Sequence, residues 1–211
     1  MKKTMTWLLF ALLNLGTSIS NAQQDTVKQS VLTSTEREYV IKFLAETESG
    51  VFDAVKNLTN AQLTFKPAAN KWSIEECVKH IAASEINLWA MVDGSLKQPL
   101  NPDKRSGIKT TDEAFVRAVE DRSRKSTTFA ALEPKNQPYK SLTEALAAFK
   151  ENREKLINFM QTTQIDLRNH VSVLPIGTYD AYQLVLLISA HTNRHTQQID
   201  EVKASASYPK G

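Results

Sequence analysis

The chain has 211 residues, 41% of them hydrophobic and 23% charged, with a formal net charge of +3. That length suits one compact domain, and that composition argues against wholesale disorder. Six glycines, seven prolines and one cysteine exclude a collagen-like chain, an internal disulfide framework and a multi-cysteine zinc or iron–sulfur site.

Residues 1–22 read as a signal peptide. Lys2 and Lys3 precede an apolar run at 5–15, and Ser20-Asn21-Ala22 supplies small residues for cleavage. The run is short of the roughly 20 apolar residues a membrane span needs. The expected product is therefore exported, periplasmic or secreted, with no stable membrane insertion after cleavage. Removal of the leader takes away two lysines and no carboxylate, so the remainder is close to neutral. Such a chain shows no electrostatic footprint for nucleic acid. Cys77, alone in an oxidising compartment, is expected to be a buried small hydrophobe.

Residues 23–33 form a polar, flexible lead-in, and residues 34–211 the folded domain. From Ser34, Val40, Phe43, Leu44, Val51, Val55 and Leu58 recur at helical steps, with Gly50 an interior weakness. After a connector holding Pro67 and Asn70, Ser73 and Glu76 carry the spacing of a capping box. Ile74, Cys77, Ile81, Leu88, Met91 and Val92 then mark a second helix over about 74–92. Gly94, Pro99, Pro102 and Gly107 break the chain into a long polar loop. A shorter helix restarts at Thr111 or Asp112 and carries Phe115, Ala118 and Val119. Pro134 and Pro138 punctuate the next connection, before Ser141 and Glu144 repeat the capping spacing. Leu142, Leu146, Phe149, Leu156, Phe159 and Met160 give the next long helix. Residues 166–179 read as a loop, since 171–174 are too few to found a sheet. Asp180 caps a last helix reaching about Lys203. The expected fold is all-α: a four-helix bundle with a short accessory helix and long loops.

The chain has four histidines. His191 and His195 stand four apart on the last helix, so both project from one face and can share a metal. Both lie in its apolar stripe, where an imidazole must find partners for its ring nitrogens. His80 lies on the inward side of the second helix, three residues after Cys77. Three imidazoles from two helices can meet around one ion, as bundles do when they build metal sites. The plainer alternative is that each histidine hydrogen-bonds a neighbouring helix. His170, in the loop before the last helix, is a fourth ligand, a substrate contact or an exposed side chain, the last being the plainest.

Trp72-Ser73 followed by His80 resembles the WS-x(6)-H segment of the DinB-like (YfiT-type) superfamily. His191-Thr192-Asn193-Arg194-His195-Thr196-Gln197-Gln198-Ile199 is similar to its H-x-x-R-H-x-x-Q-I segment. Phe149-x-x-x-Arg153, Asp166-Leu167-Arg168 and Tyr208-Pro209 fall where such proteins carry similar residues. The resemblance implies a four-helix bundle holding one divalent metal through His80, His191 and His195, often as a homodimer, with thiol transfer in some members. The export signal departs from much of that family.

Three neutral imidazoles leave at least one position for water or substrate, and Zn²⁺, Ni²⁺ and Fe²⁺ all suit them. No catalytic residue is fixed by the sequence. Glu76, one turn before His80, either orients it or accepts a proton, or else serves the capping box, the better reading. Glu85 is expected to be a surface charge. Thr47 points inward and is read as bonded to its own helix, Arg194 as structural, and Trp72 as an anchor for the start of the second helix. Two functions follow. One is an exported metal-dependent hydrolase or small-molecule (thiol) transferase; the other is a non-catalytic metal-binding or interaction module of the cell envelope.

Overall fold

The computed structural model describes residues 32–124 and 128–210. The expected signal peptide, residues 1–22, and most of the expected lead-in lie outside the described residues. Four long helices dominate: α1 (Ser34–Val55), α3 (Ile74–Leu96), α5 (Leu142–Thr162) and α6 (Ala181–Lys203). The short helices α2 (Asn60–Thr64) and α4 (Asp112–Glu120) complete the α-helices among the described residues, and 3-10 turns cover Pro102–Gly107, Ala130–Leu132 and Pro134–Asn136. The expected four-helix bundle with an accessory helix is the fold observed. No helix among the described residues is long and apolar enough to cross a membrane.

Local chemistry sets the starts of the helices. Thr33 opens α1 and Ser73 opens α3, each in a reciprocal box with the Glu three residues on, Glu36 and Glu76. Such a cap is worth about 1 kcal/mol. At α5, Ser141 accepts from the Glu144 amide, but the Glu144 carboxylate turns back to the Lys140 amide instead. Asp180 caps α6 through the Gln183 amide at 2.8 Å. Leu32, just ahead of the Thr33 cap, is buried against the core.

Around the bundle the packing order is α1, α6, α3, α5 and back to α1, so α1 faces α3, and α5 faces α6, across the diagonals. The accessory helix α4 lies on the outside of α6. The core falls into two apolar halves. One collects Val40, Leu44, Val92, Leu156, Met160 and the first turns of α6. The other collects Val51, Cys77, Ile81, Phe149, Ile199 and Val202.

Between the halves lies a polar layer built on Arg153, which is wholly buried. Its guanidinium is bidentate to Glu85 at 2.7 and 2.8 Å. It also donates to the Leu44 carbonyl and Thr47 Oγ1, each at 2.7 Å, and to Thr192 Oγ1 at 3.0 Å. One side chain thus ties all four long helices together. Glu85 is therefore a correction to the sequence reading: it is buried, not a surface charge. Helix α3 is enclosed on more than one face, and Glu85 points away from His80 into the centre of the bundle. Thr47 donates to the Phe43 carbonyl of its own helix, as expected, and adds the bond from Arg153.

Three further boundaries differ. Helix α3 continues through Gly94 to Leu96, with Ser95 of its last turn buried against the His170 carbonyl. Residues 60–64 form a turn of helix capped by Thr59. The stretch read as a loop contains an antiparallel hairpin of β1 (Val171–Leu174) and β2 (Gly177–Asp180), turning at Pro175 and Ile176. It persists at four residues a strand because the loop after α3 supports it. Asn101 Oδ1 accepts from the Val171 amide at 2.8 Å, and its Nδ2 donates to the Val171 carbonyl at 3.0 Å. His170 immediately precedes this hairpin and is buried rather than exposed. Its carbonyl receives Ser95 Oγ and the Ala181 amide, while its Nδ1 has no hydrogen-bond partner.

Candidate metal centre

The Ser73 cap fixes the start of α3, and His80 follows two turns later on the side facing α6. His191 and His195 face it from consecutive turns of α6. Ring centroids lie 4.4 Å apart for His80–His195, 4.5 Å for His191–His195 and 5.2 Å for His80–His191. One nitrogen from each ring falls within 4.8 Å of the others. These three were the candidates from sequence, and the fold brings them together. His170 is not among them; it sits beside Ser95, fifteen residues beyond His80 and about 22 Å further along α3.

The outer nitrogens of two rings are engaged. His80 Nδ1 lies 3.0 Å from the Leu132 carbonyl, which can only accept, so that nitrogen carries the proton. His195 Nδ1 lies 2.9 Å from Gln198 Oε1 and donates to it in the same way. In both rings Nε2 is left as a lone pair, the form a metal ligand requires. Ser84 Oγ, one turn after His80, stands 3.3 Å from His80 Nε2. Gln198 in turn meets Arg122, whose guanidinium is bidentate to Glu201 at 3.0 and 2.8 Å.

Burial lowers the basicity of all three imidazoles. Desolvation holds His80 below its ordinary value, against the bond to Leu132. It brings His191 down to about 3, with His80 and Arg194 adding to the effect. It holds His195 well below the ordinary value, helped by the other two histidines. The set is neutral at pH 7. Neutral imidazoles with a nitrogen lone pair each, that of His80 shared with the Ser84 hydroxyl, and with two rings backed by a carbonyl and an amide, fit a divalent cation.

Trp72 covers the cluster. Its indole lies 4.8 Å from His80 and 5.9 Å from His195, nearly parallel to the latter at 15°. It is thus an anchor for the start of α3 and also a wall of the site. Arg194 is structural, as expected: it donates to the carbonyls of Val119, Asp121 and Arg124, holding the chain after α4. Glu76 completes the Ser73 box and pairs with Lys66 at 2.7 Å. Cys77 is fully buried, and that burial pushes its thiol up, so it stays protonated. Beside the histidines opens a cavity of about 970 Å³, which His191, His195, Trp72 and Gln198 help to line.

The sequence reading missed the Leu132 carbonyl, Ser84 and Arg122. A backbone acceptor in an aperiodic connection has no residue-type signal. Ser84 could have been found, because it lies one helical turn from His80.

The DinB superfamily matches over residues 44–199. The chain belongs to the DinB superfamily. Among solved structures, the chain is similar to YfiT from Bacillus subtilis, described as a probable metal-dependent hydrolase with an unusual four-helix bundle topology. The TM-score is 0.57 at 16% identity, covering 84% of this chain and 91% of that one. The likeness establishes the shared bundle. No curated protein sequence matches this member of the superfamily.

Proposed function

We propose that the chain is a metal-dependent hydrolase or small-molecule (thiol) transferase, with one divalent cation, Zn²⁺, Ni²⁺ or Fe²⁺, held by His80, His191 and His195. The observation that carries this reading is the approach of three neutral imidazole nitrogens from two helices to within 4.8 Å, beside a substrate-sized cavity. A cation there would supply Lewis acidity and lower the pKa of a bound water. The chain's own residues prepare the place. Leu132 and Gln198 orient two rings, Trp72 shields the cluster from bulk water, and Arg194 pins the loop along one side of the cavity.

One observation favours a second reading, a non-catalytic metal-binding module. Glu76, the acid lining the cavity on the same helix as His80, is committed to its cap and to Lys66, so it is not free to act as a general base. Export, from residues 1–22, and homodimer formation belong to the same proposal.

The test begins with metal analysis of purified protein beside a His195→Ala variant. Near-stoichiometric metal is expected in the first and strong loss in the second; equal content in both would remove the site. A panel of hydrolase and thiol-transfer substrates then separates enzyme from binder. Activity appearing with metal and vanishing on stripping supports the enzyme.

A further inference from the structure

The cavity beside the histidines carries a charge imbalance that the fold does not neutralise. Three of its cations have carboxylate partners across the lining: Lys66 with Glu76 at 2.7 Å, Lys135 with Glu133 at 2.9 Å and Arg122 with Glu201 at 2.8 Å. Arg124 lies 4.0 Å from Asp121 and is almost wholly exposed. Two cations remain. Arg194 spends its donors on backbone carbonyls, which fix its position; it feels the fields of Asp121 and Glu201 but forms no salt bridge with either among the described residues. Lys71 has no ion-pair partner among the described residues; it feels the field of Glu201, whose two oxygens are both taken by Arg122.

Much of the remaining wall is apolar, with Asn70, Thr128 and Gln198 interspersed. Trp72 follows Lys71 directly, with its indole stacked over His195, and Pro67, Pro134 and Val119 lie around the same space. A cavity with low-dielectric walls and an excess of one sign concentrates ligands of the other sign. The lysine is the group with freedom to meet such a ligand, since it is exposed, carries its ammonium on a flexible four-carbon stem and has no ion pair among the described residues.

We propose that this cavity takes a small organic anion, with its carboxylate or phosphate on Lys71 and its apolar body against Trp72 and Pro134, next to the histidine cluster. The proposal rests on the metal-centre reading for its chemistry, because it names the substrate class of that site. The recognition by Lys71 does not itself require the metal.

Benzoate and benzamide have nearly the same shape and differ in charge, so they isolate the point at issue. Their binding is to be measured by calorimetry on metal-free and on zinc-loaded protein, for the wild type and for a Lys71→Glu variant. Zinc stoichiometry is measured on both proteins. Benzoate is expected to bind about tenfold more tightly than benzamide in both metal states, with the preference weakened by added salt. Lys71→Glu is expected to abolish that preference and leave zinc content unchanged. Equal affinity for the two probes would overturn the proposal. A preference seen only with zinc and untouched by Lys71→Glu would overturn it too, placing the anion on the metal. Failure to bind zinc with the Lys71-dependent preference intact would support the anion site and refute the metal centre alone.

Discussion

Gln198 decides which nitrogen His195 presents to the cluster. Its amide oxygen takes the Nδ1 proton at 2.9 Å, and Arg122 lies 3.5 Å behind that oxygen. Replacing Gln198 by Ala frees the ring to rotate and to exchange tautomers. Metal affinity should fall about 10- to 100-fold, the usual scale for losing such a partner, with the fold intact. Competition against a chromophoric chelator, alongside the thermal midpoint of the metal-free variant, measures both. The histidine cluster was legible in the sequence, because two histidines four apart on an apolar stripe and a third on the inward side of α3 can converge. What held the rings was not legible, since a carbonyl at Leu132 is set by the path of a connection and not by any residue type. Glu85 was misread for a related reason: five residues past His80 its side chain turns away from that ring, but that direction leads into the bundle and not into water.

The helices were largely legible from periodicity and caps, as Ser73, Ser141 and Asp180 all open the helices assigned to them. The hairpin was not, because eight residues with no clean alternation owe their pairing to Asn101, seventy residues away. Two predictions belong to this scale. Gly50 interrupts α1 where a Cβ would meet only Thr196 Cγ2 at 3.9 Å, an ordinary contact. Gly50→Ala should therefore stabilise the protein by about 0.5–1 kcal/mol, read from the urea midpoint. The Arg153 layer works in the opposite direction. Glu85→Ala strands a guanidinium at the meeting point of four helices and should cost about 3–5 kcal/mol in chemical denaturation. Adding Arg153→Met to that variant should recover much of the loss. If the single and double variants were equally unstable, the penalty would lie in packing and not in an uncompensated charge.

At the scale of the whole molecule, the three inward imidazoles couple folding to acidity. Their folded basicity lies below the ordinary histidine value near 6.5, His191 at about 3. Between those limits the unfolded chain holds protons that the folded chain refuses. The stabilisation is thus complete above pH 6.5 and drains away as pH falls toward each folded value. Each histidine contributes up to about 1.4 kcal/mol per pH unit in that window. The urea midpoint of metal-free protein should drop from pH 7 to pH 5, above the range where most carboxylates titrate. The slope should be shallower in a His191→Gln variant. The four-rod architecture behind this was legible from four amphipathic stretches. The order in which they pack was not, because the long loop after α3 allowed more than one path.

Trp72 gives the molecule an optical consequence. Trp72 and Trp89 are the tryptophans among the described residues, and only Trp72 lies against the histidines, 5.9 Å from His195 and nearly parallel to it. Trp89 is packed edge-on against Phe159 in the other half of the core. An open-shell ion in the cluster would quench one indole and spare the other, whereas a closed-shell ion would leave both bright. Without any added dye, the emission spectrum would then distinguish an open-shell from a closed-shell ion bound there.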